Sequence, residues 1–194
     1  SRRLRTCARR LGVSAASVCH VAWARVLAVL SGRDDVVFGT VLFGRMQGGA
    51  GADRGMGLFL NTLPVRVKTA TSAEAGVRQT HAALAQLMYH EHAPLALAQR
   101  CSGVAAPAPL FSALLNYRHI SSNGGRRALG GFEKLARKEH TNYPVTLSVN
   151  DLGEELSLSA QVDSSLDAQR VCGYMNRALQ ELVEALERAP KSSL

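Results

Sequence analysis

The sequence predicts an α/β sandwich lobe, a mixed sheet packed by helices, and three observations carry that expectation. Helical and strand periodicities alternate along most of the 194 residues, a strictly alternating strand pair follows, and an amphipathic helix closes the chain. A hydrophobic content of 46% belongs to a packed globular chain rather than a disordered one. With no internal repeat and no second domain readable, residues 1–190 are taken as one unit and residues 191–194 as a tail or linker.

Ser14 opens the first helix, with Val18, Val21, Ala22, Val26, Val29 and Leu30 at helical recurrence until Ser31-Gly32 stops it. Asp34-Asp35 leads into Val36-Val37-Phe38-Gly39-Thr40-Val41-Leu42-Phe43, a near-continuous apolar run that predicts a strand covered on both faces. Residues 44–57 are glycine-rich and aperiodic, so they form a loop, and a second strand runs over 62–68. Thr71-Ser72-Ala73-Glu74 has the spacing of a capping box at the start of a helix that reaches Tyr89. Pro94 and the Ala/Pro-rich residues 104–109 break the chain before a strand over 110–118. In residues 144–150 and 155–163, Val145, Leu147 and Val149 alternate into register with Leu156, Leu158, Ala160 and Val162, and Asp151-Leu152-Gly153 supplies the turn. The closing helix, 167–188, carries Val171, Tyr174, Met175, Ala178, Leu179, Leu182, Val183 and Leu186 on one stripe.

Composition excludes several function classes. No apolar run reaches the length of a membrane span, and the opening Ser1-Arg2-Arg3 has no apolar signal segment behind it, so a soluble, cytoplasmic chain is expected. A start inside a basic helix, without methionine, suggests an excised piece. Cys7, Cys19, Cys101 and Cys172 lack both the pairing of a zinc site and the density of a disulfide scaffold. The net charge of +8 concentrates in Arg2, Arg3, Arg5, Arg9 and Arg10 and in Arg126, Arg127, Lys134, Arg137 and Lys138. At 5% aromatics neither cluster is interleaved with stacking residues, which disfavours nucleic acid. His90-Glu91-His92 puts two histidines on different sides of a helix without a third ligand, so no metal is expected there. The glycines at 44–57 match no phosphate-binding loop.

Several segments are more specific. Ala22-Trp23-Ala24-Arg25-Val26-Leu27, Ser31-Gly32-Arg33-Asp34-Asp35-Val36-Val37-Phe38-Gly39-Thr40-Val41 and Gly44-Arg45 together resemble the C-terminal lobe of nonribosomal peptide synthetase condensation domains. Met56-Gly57-Leu58-Phe59-Leu60-Asn61-Thr62-Leu63-Pro64-Val65-Arg66 is similar to that family's aliphatic-Gly-x-Phe-aliphatic-Asn-Thr motif with its following arginine. His90-Glu91-His92-Ala93-Pro94-Leu95 is similar to the next motif, His-Gln-Asp-Tyr-Pro-Phe-Glu, through its histidine, its proline and its acid-or-amide character. A later family motif sets an Arg-Asp pair before Asn-Pro-Leu-Phe; here residues 103–108 replace the polar part and Pro109-Leu110-Phe111 remains. Leu115-Asn116-Tyr117-Arg118-His119 and Thr141-Asn142-Tyr143-Pro144 fall where the family has similar segments, so the resemblance spans nearly the whole chain.

The resemblance implies a chloramphenicol acetyltransferase-like two-layer sandwich lobe facing a related N-terminal lobe across a channel. In that family an amine on one phosphopantetheine attacks a thioester on another, around a His-His-x-x-x-Asp-Gly motif. None of His20, His81, His90, His92, His119 and His140 has those neighbours, so no catalytic residue is assigned to this chain. The resemblance places Gly57, Phe59, Asn61, Thr62 and Arg66 along the substrate channel and Gly44 and Arg45 in its floor loop. On local grounds Asn61 equally suits the cap of a turn, Arg66 a solvated edge charge, and the glycines a flexible loop. Implied partners are the N-terminal lobe, donor and acceptor peptidyl carrier proteins and an adenylation domain in cis. No cofactor is bound directly, because substrates ride on the carriers' phosphopantetheine. An epimerisation lobe, a dual condensation and epimerisation lobe and a non-catalytic carrier-binding module stay open as alternatives.

Overall fold

The computed structural model describes residues 1–44, 56–105, 107–120 and 141–192. The elements run α1 (Arg2–Leu11), α2 (Ala15–Ser31), β1 (Asp35–Leu42), β2 (Asn61–Lys68), α3 (Ala73–Tyr89), α4 (Leu95–Cys101), β3 (Ala113–His119), β4 (Val145–Asp151), β5 (Leu156–Val162) and α5 (Ala168–Arg188). The five strands form one mixed sheet in the order β2-β1-β3-β4-β5. Pairs β1/β3 and β3/β4 are parallel, whereas β1/β2 and β4/β5 are antiparallel.

One face of this sheet carries the helices. Phe38, Val65, Val67, Leu115, Leu147 and Val149 pack there against Leu4 and Cys7 of α1, Trp23 of α2, Val77 of α3 and Met175 and Leu182 of α5. Helix α2 is the centre of the layer: ten of its residues are buried, Ser14 caps it by accepting from Ser17 N, and Gly32 ends it at φ 65. The closing helix presents the predicted stripe, with Met175, Leu179, Leu182, Val183 and Leu186 buried. The hairpin also follows its alternation, since Val145 faces Val162, Leu147 faces Ala160 and Val149 faces Leu158. This is the two-layer lobe that the sequence predicts.

The local differences have physical reasons. β1 is not covered on both faces: Val36 and Phe38 are buried under the helices, but Val37 on the opposite face is 39% exposed. Continuous β-branched composition fits a buried strand and an open one alike, so periodicity could not separate them. The helix cap of α3 is Ser72, which accepts from Ala75 N, and Glu74 bonds forward to Arg78 instead of back to a cap. Helix α4 interrupts the stretch read as broken; at seven residues with no buried side chain it offers no periodicity to find. β3 begins at Ala113, and Phe111 before it lies over Gly39, where a Cβ would come within 2.7 Å of Leu114 Cδ1 and 2.8 Å of Phe111 Cζ. Asp151 ends β4 rather than starting the turn. Among the described residues no single helix is long and apolar enough to cross a membrane.

Candidate functional site

The site is built where β1 ends and β2 begins, with Leu42 paired to Asn61. Two described pieces flank the strands there. Gly44 adopts φ 64, and a Cβ on it would fall onto the Phe59 carbonyl oxygen, so only glycine lets the outgoing chain pass so close to the returning one. Between Met56 and Asn61 the chain forms a strap of solvent-facing apolar side chains: Met56 is 98% exposed and Leu58 88%. Exposed apolar groups this dense mark a surface made to be covered or to contact a ligand. Phe43 and Leu60 add to the same patch.

Asn61 sits at the root of the strap with its carboxamide fully engaged by the protein. Nδ2 donates to the carbonyls of Glu91 and Ala93, each at 2.8 Å, while Oδ1 accepts from Thr62 N at 2.9 Å. An asparagine has two N–H donors, and both point into the turn between α3 and α4. Glu91, in that turn, is 1% exposed, and the neighbouring His92 is on the surface with Nε2 3.7 Å from Glu91 Oε1. The motif around Asn61 and the motif around His90 are thus joined in space by one side chain, a connection that a separation of 30 positions conceals from sequence reading.

Thr62 pairs with Val41 and alternates with Leu63, Val65 and Val67, which are buried under the helices. Thr62, Pro64 and Arg66 therefore share the opposite face. Arg66 stands four residues along β2, about 13 Å from Thr62 at the usual strand rise. There its Nε and Nη2 donate to Asp35 at 2.9 and 2.7 Å. The structure thus brings Gly44, Gly57, Phe59, Asn61 and Thr62 to one edge and leaves Arg66 toward the other end of the strand. Arg45, the remaining floor-loop candidate, and the basic residues 126–138 lie outside the described residues.

Among the described residues, the face away from the helices has a character that sequence reading passed over. Opposite the apolar residues of β3, β4 and β5 stand Asn116 and Arg118, Thr146, Ser148 and Asn150, and Ser157, Ser159 and Gln161. Arg118 Nε donates to Asn150 Oδ1 at 2.8 Å, and Asn150 Nδ2 reaches Ser157 Oγ at 3.1 Å, a polar row across three strands. The signal was present as the second half of the alternation, since a strand whose apolar residues face one way presents its intervening residues the other way. Thr146 and Ser148 on this face are buried, whereas Ser157 and Ser159 are exposed and present open hydroxyls.

The titratable groups elsewhere are structural. His20 is buried; Nδ1 donates to the Ala16 carbonyl at 2.7 Å, so Nε2 accepts from Thr40 Oγ1 at 2.8 Å, and burial lowers its pKa to about 4. Ser17 Oγ lies 3.0 Å from His81 Nδ1, which has the form of a nucleophile and base, yet Ser17 is wholly buried beside Ser14 at the start of α2. Burial also pushes the Cys19 thiol up to about 12. Among the described residues no three His, Cys, Asp or Glu side chains gather as a metal site. The basic start of the chain is largely occupied: Arg3 binds Glu187, Arg5 binds Asp151 and Arg10 binds the Leu186 carbonyl.

A mixed α/β sheet with one helical layer, an apolar strap at one edge and, among the described residues, no cluster of metal ligands is the class of protein these features define. Residues 1–193 match the model of the condensation domain family, and the chain belongs to that family. It is 56% identical to malpinin synthetase of Mortierella alpina over 195 residues, a match covering 99% of this chain and 2% of that protein. It is 32% identical to part of the linear gramicidin synthase of Brevibacillus parabrevis, a match covering 85% of this chain and 3% of that polypeptide. Among solved structures the condensation domain of the monacolin K polyketide synthase matches with a TM-score of 0.76 and 22% identity, covering 97% of this chain and 45% of that chain. A four-domain nonribosomal peptide synthetase matches at the same TM-score with 16% identity, covering 99% and 16%. The chain thus spans under half of the condensation-domain structure and a few percent of the synthetases. The mixed sheet with its helical layer is the architecture of condensation-domain structures.

Proposed function

We propose that this chain is the C-terminal half of a nonribosomal peptide synthetase condensation domain and forms one wall of the channel in which a peptide bond is made. The single observation that carries the reading is the family match over 1–193. The match to under half of a condensation-domain chain supports the reading that a second half completes the domain. In the reaction, an amine on the acceptor carrier attacks the thioester carbonyl on the donor carrier. A C–N bond forms, the C–S bond breaks, the thiol is released and the amine proton passes to a base. The protein must bring the two arms into line and stabilise the charge on the carbonyl oxygen. The proton-handling His-His-x-x-x-Asp-Gly motif belongs to the preceding half.

This half contributes surface. Gly57, Phe59, Asn61 and Thr62 form the channel edge, with Gly44 and Arg45 in the floor loop and Arg66 farther along the same strand. The row from Arg118 to Ser157 offers hydrogen bonds to amide groups entering on the phosphopantetheine arms. The partners are the preceding lobe, donor and acceptor peptidyl carrier proteins and an adenylation domain in the same polypeptide; no cofactor is held by this half itself. The test is to load two carriers and assay peptide formation by the two-lobe domain and by residues 1–194 alone. Product from the two-lobe protein only is expected. No product from either protein, or full activity from residues 1–194 alone, refutes the reading.

A further inference from the structure

We propose that Asn61 is a positioning residue for the condensation step: its carboxamide fastens the turn at 91–93 to the head of β2 and so fixes the strap at 56–60 against the channel, without touching the reacting groups. The inference rests on the functional reading above. It begins from donor capacity. Both Nδ2 hydrogens are used on the carbonyls of Glu91 and Ala93 at 2.8 Å, and Oδ1 is used on Thr62 N, so Asn61 has no N–H left to offer a substrate carbonyl.

The attachment matters because few buried side chains support the turn, whose own backbone bonds, such as Ala93 N to the His90 carbonyl, are local to it. Among the described residues between 81 and 110, Glu91 alone is buried; helix α4 has no buried side chain at all. Its far loop is held in a similar manner, with Gln99 Nε2 donating to the Val104 and Ala108 carbonyls at 3.2 and 3.1 Å. A segment with so few buried apolar contacts opens at little free energy unless polar bonds hold it. Asn61 supplies such bonds at the residue where the strap becomes strand, so loss of the turn and displacement of the strap are one event. Gly44 stacked on the Phe59 carbonyl transmits the position to the end of β1.

The experiment uses the two-lobe domain with both carriers loaded, in single-turnover mode, where a destabilised protein loses product amplitude and a mispositioned site loses rate. Asn61→Ala is expected to slow the rate about tenfold, the loss of three hydrogen bonds at the weak end of their ordinary net strength, with KM for both carriers unchanged. A second variant leaves Asn61 in place and loosens the turn with His92→Gly and Ala93→Gly; it is expected to slow the rate by a similar factor. Combining the two is expected to add nothing further, because both act through one element. Hydrogen exchange at amides 91–93 is expected to rise in each variant. Multiplicative losses in the combined variant would show that Asn61 acts on substrate directly, and wild-type rates in Asn61→Ala would remove its role; either result overturns the proposal. If Asn61→Ala fails to fold, the glycine variant alone decides, since an unchanged rate with raised exchange at 91–93 refutes the coupling. An inactive wild-type domain would instead refute the functional reading itself.

Discussion

Replacing Asp151 tests how this fold is held together. Its carboxylate is 7% exposed and receives Arg5 Nη1 and Nη2 at 3.0 and 2.7 Å, Tyr117 OH at 2.5 Å and Gly153 N at 2.9 Å. One side chain therefore ties α1, β3 and the turn after β4. Asp151→Ala strands the Arg5 guanidinium, whose side chain is only 21% exposed, and leaves the phenol and the Gly153 amide without their acceptor. Removing one member of a buried pair costs about 3–5 kcal/mol. At this chain length that corresponds to a melting point lower by about 10 °C. Arg5→Ala should cost less, because Tyr117 and Gly153 still serve the carboxylate. The hydrogen bond from Arg5 first, and those from Tyr117 and Gly153 after it, hold the Asp151 carboxyl well below its ordinary value of 3.8. A depressed folded-state pKa gives stability that is complete above that ordinary value and is lost as the pH falls below it. The assay is urea denaturation of the two-lobe protein from pH 7 to pH 2, with hydrogen exchange of the α1 amides. A loss under about 1 kcal/mol in Asp151→Ala, or unchanged exchange in α1, would refute the claim that this carboxylate anchors the first helix.

His20 should make stability fall between pH 6.5 and pH 4 by up to about 3 kcal/mol, because the unfolded chain takes up a proton there that the buried, neutral ring refuses; His20→Gln should flatten that limb of the denaturation profile. Gly44→Ala should displace the Phe59 carbonyl and lower turnover of the two-lobe domain more than it lowers the melting temperature, since the strap is not part of the core. Gly39→Ala should do the reverse, costing about 1–3 kcal/mol in thermal denaturation as the new methyl meets Phe111 and Leu114. Arg66→Ala should leave the melting temperature unchanged, since the ion pair with Asp35 is solvent-exposed; a clear drop would show it to be structural.

What the sequence disclosed divides along physical lines. The hairpin was legible because Val145, Leu147 and Val149 alternate with polar residues, and a slip by one residue against Val162, Ala160 and Leu158 would turn the apolar set to the other face. The closing helix was legible because its stripe is long enough to outweigh local noise. Helix α4 was not, because it is held by amide bonds at its two flanking loops rather than by a buried face. The same division runs through the site. Residue types in the Asn61 motif singled that side chain out, but the partners of its carboxamide lie 30 and 32 residues away, where no local pattern specifies them.

Charge shows most sharply why a residue type is not yet a role. Five arginines in the first ten residues invite a docking reading, and a basic rim would speed encounter with an acidic carrier. Yet Arg3 reaches Glu187, Arg5 reaches Asp151 across 146 residues, and Arg10 closes on the last turn of α5. These guanidiniums join α1 to α5 and to the end of β4, where planar donors can meet a carboxylate or several carbonyls at once. Their charge is neutralised or directed inward before any partner arrives, so the field available for steering is smaller than the net charge of +8 suggests. Two other described surfaces, the apolar strap at 56–60 and the polar row across β3, β4 and β5, are built without these arginines. Contact at those two surfaces rests on shape and hydrogen bonding at short range rather than on the charge of α1.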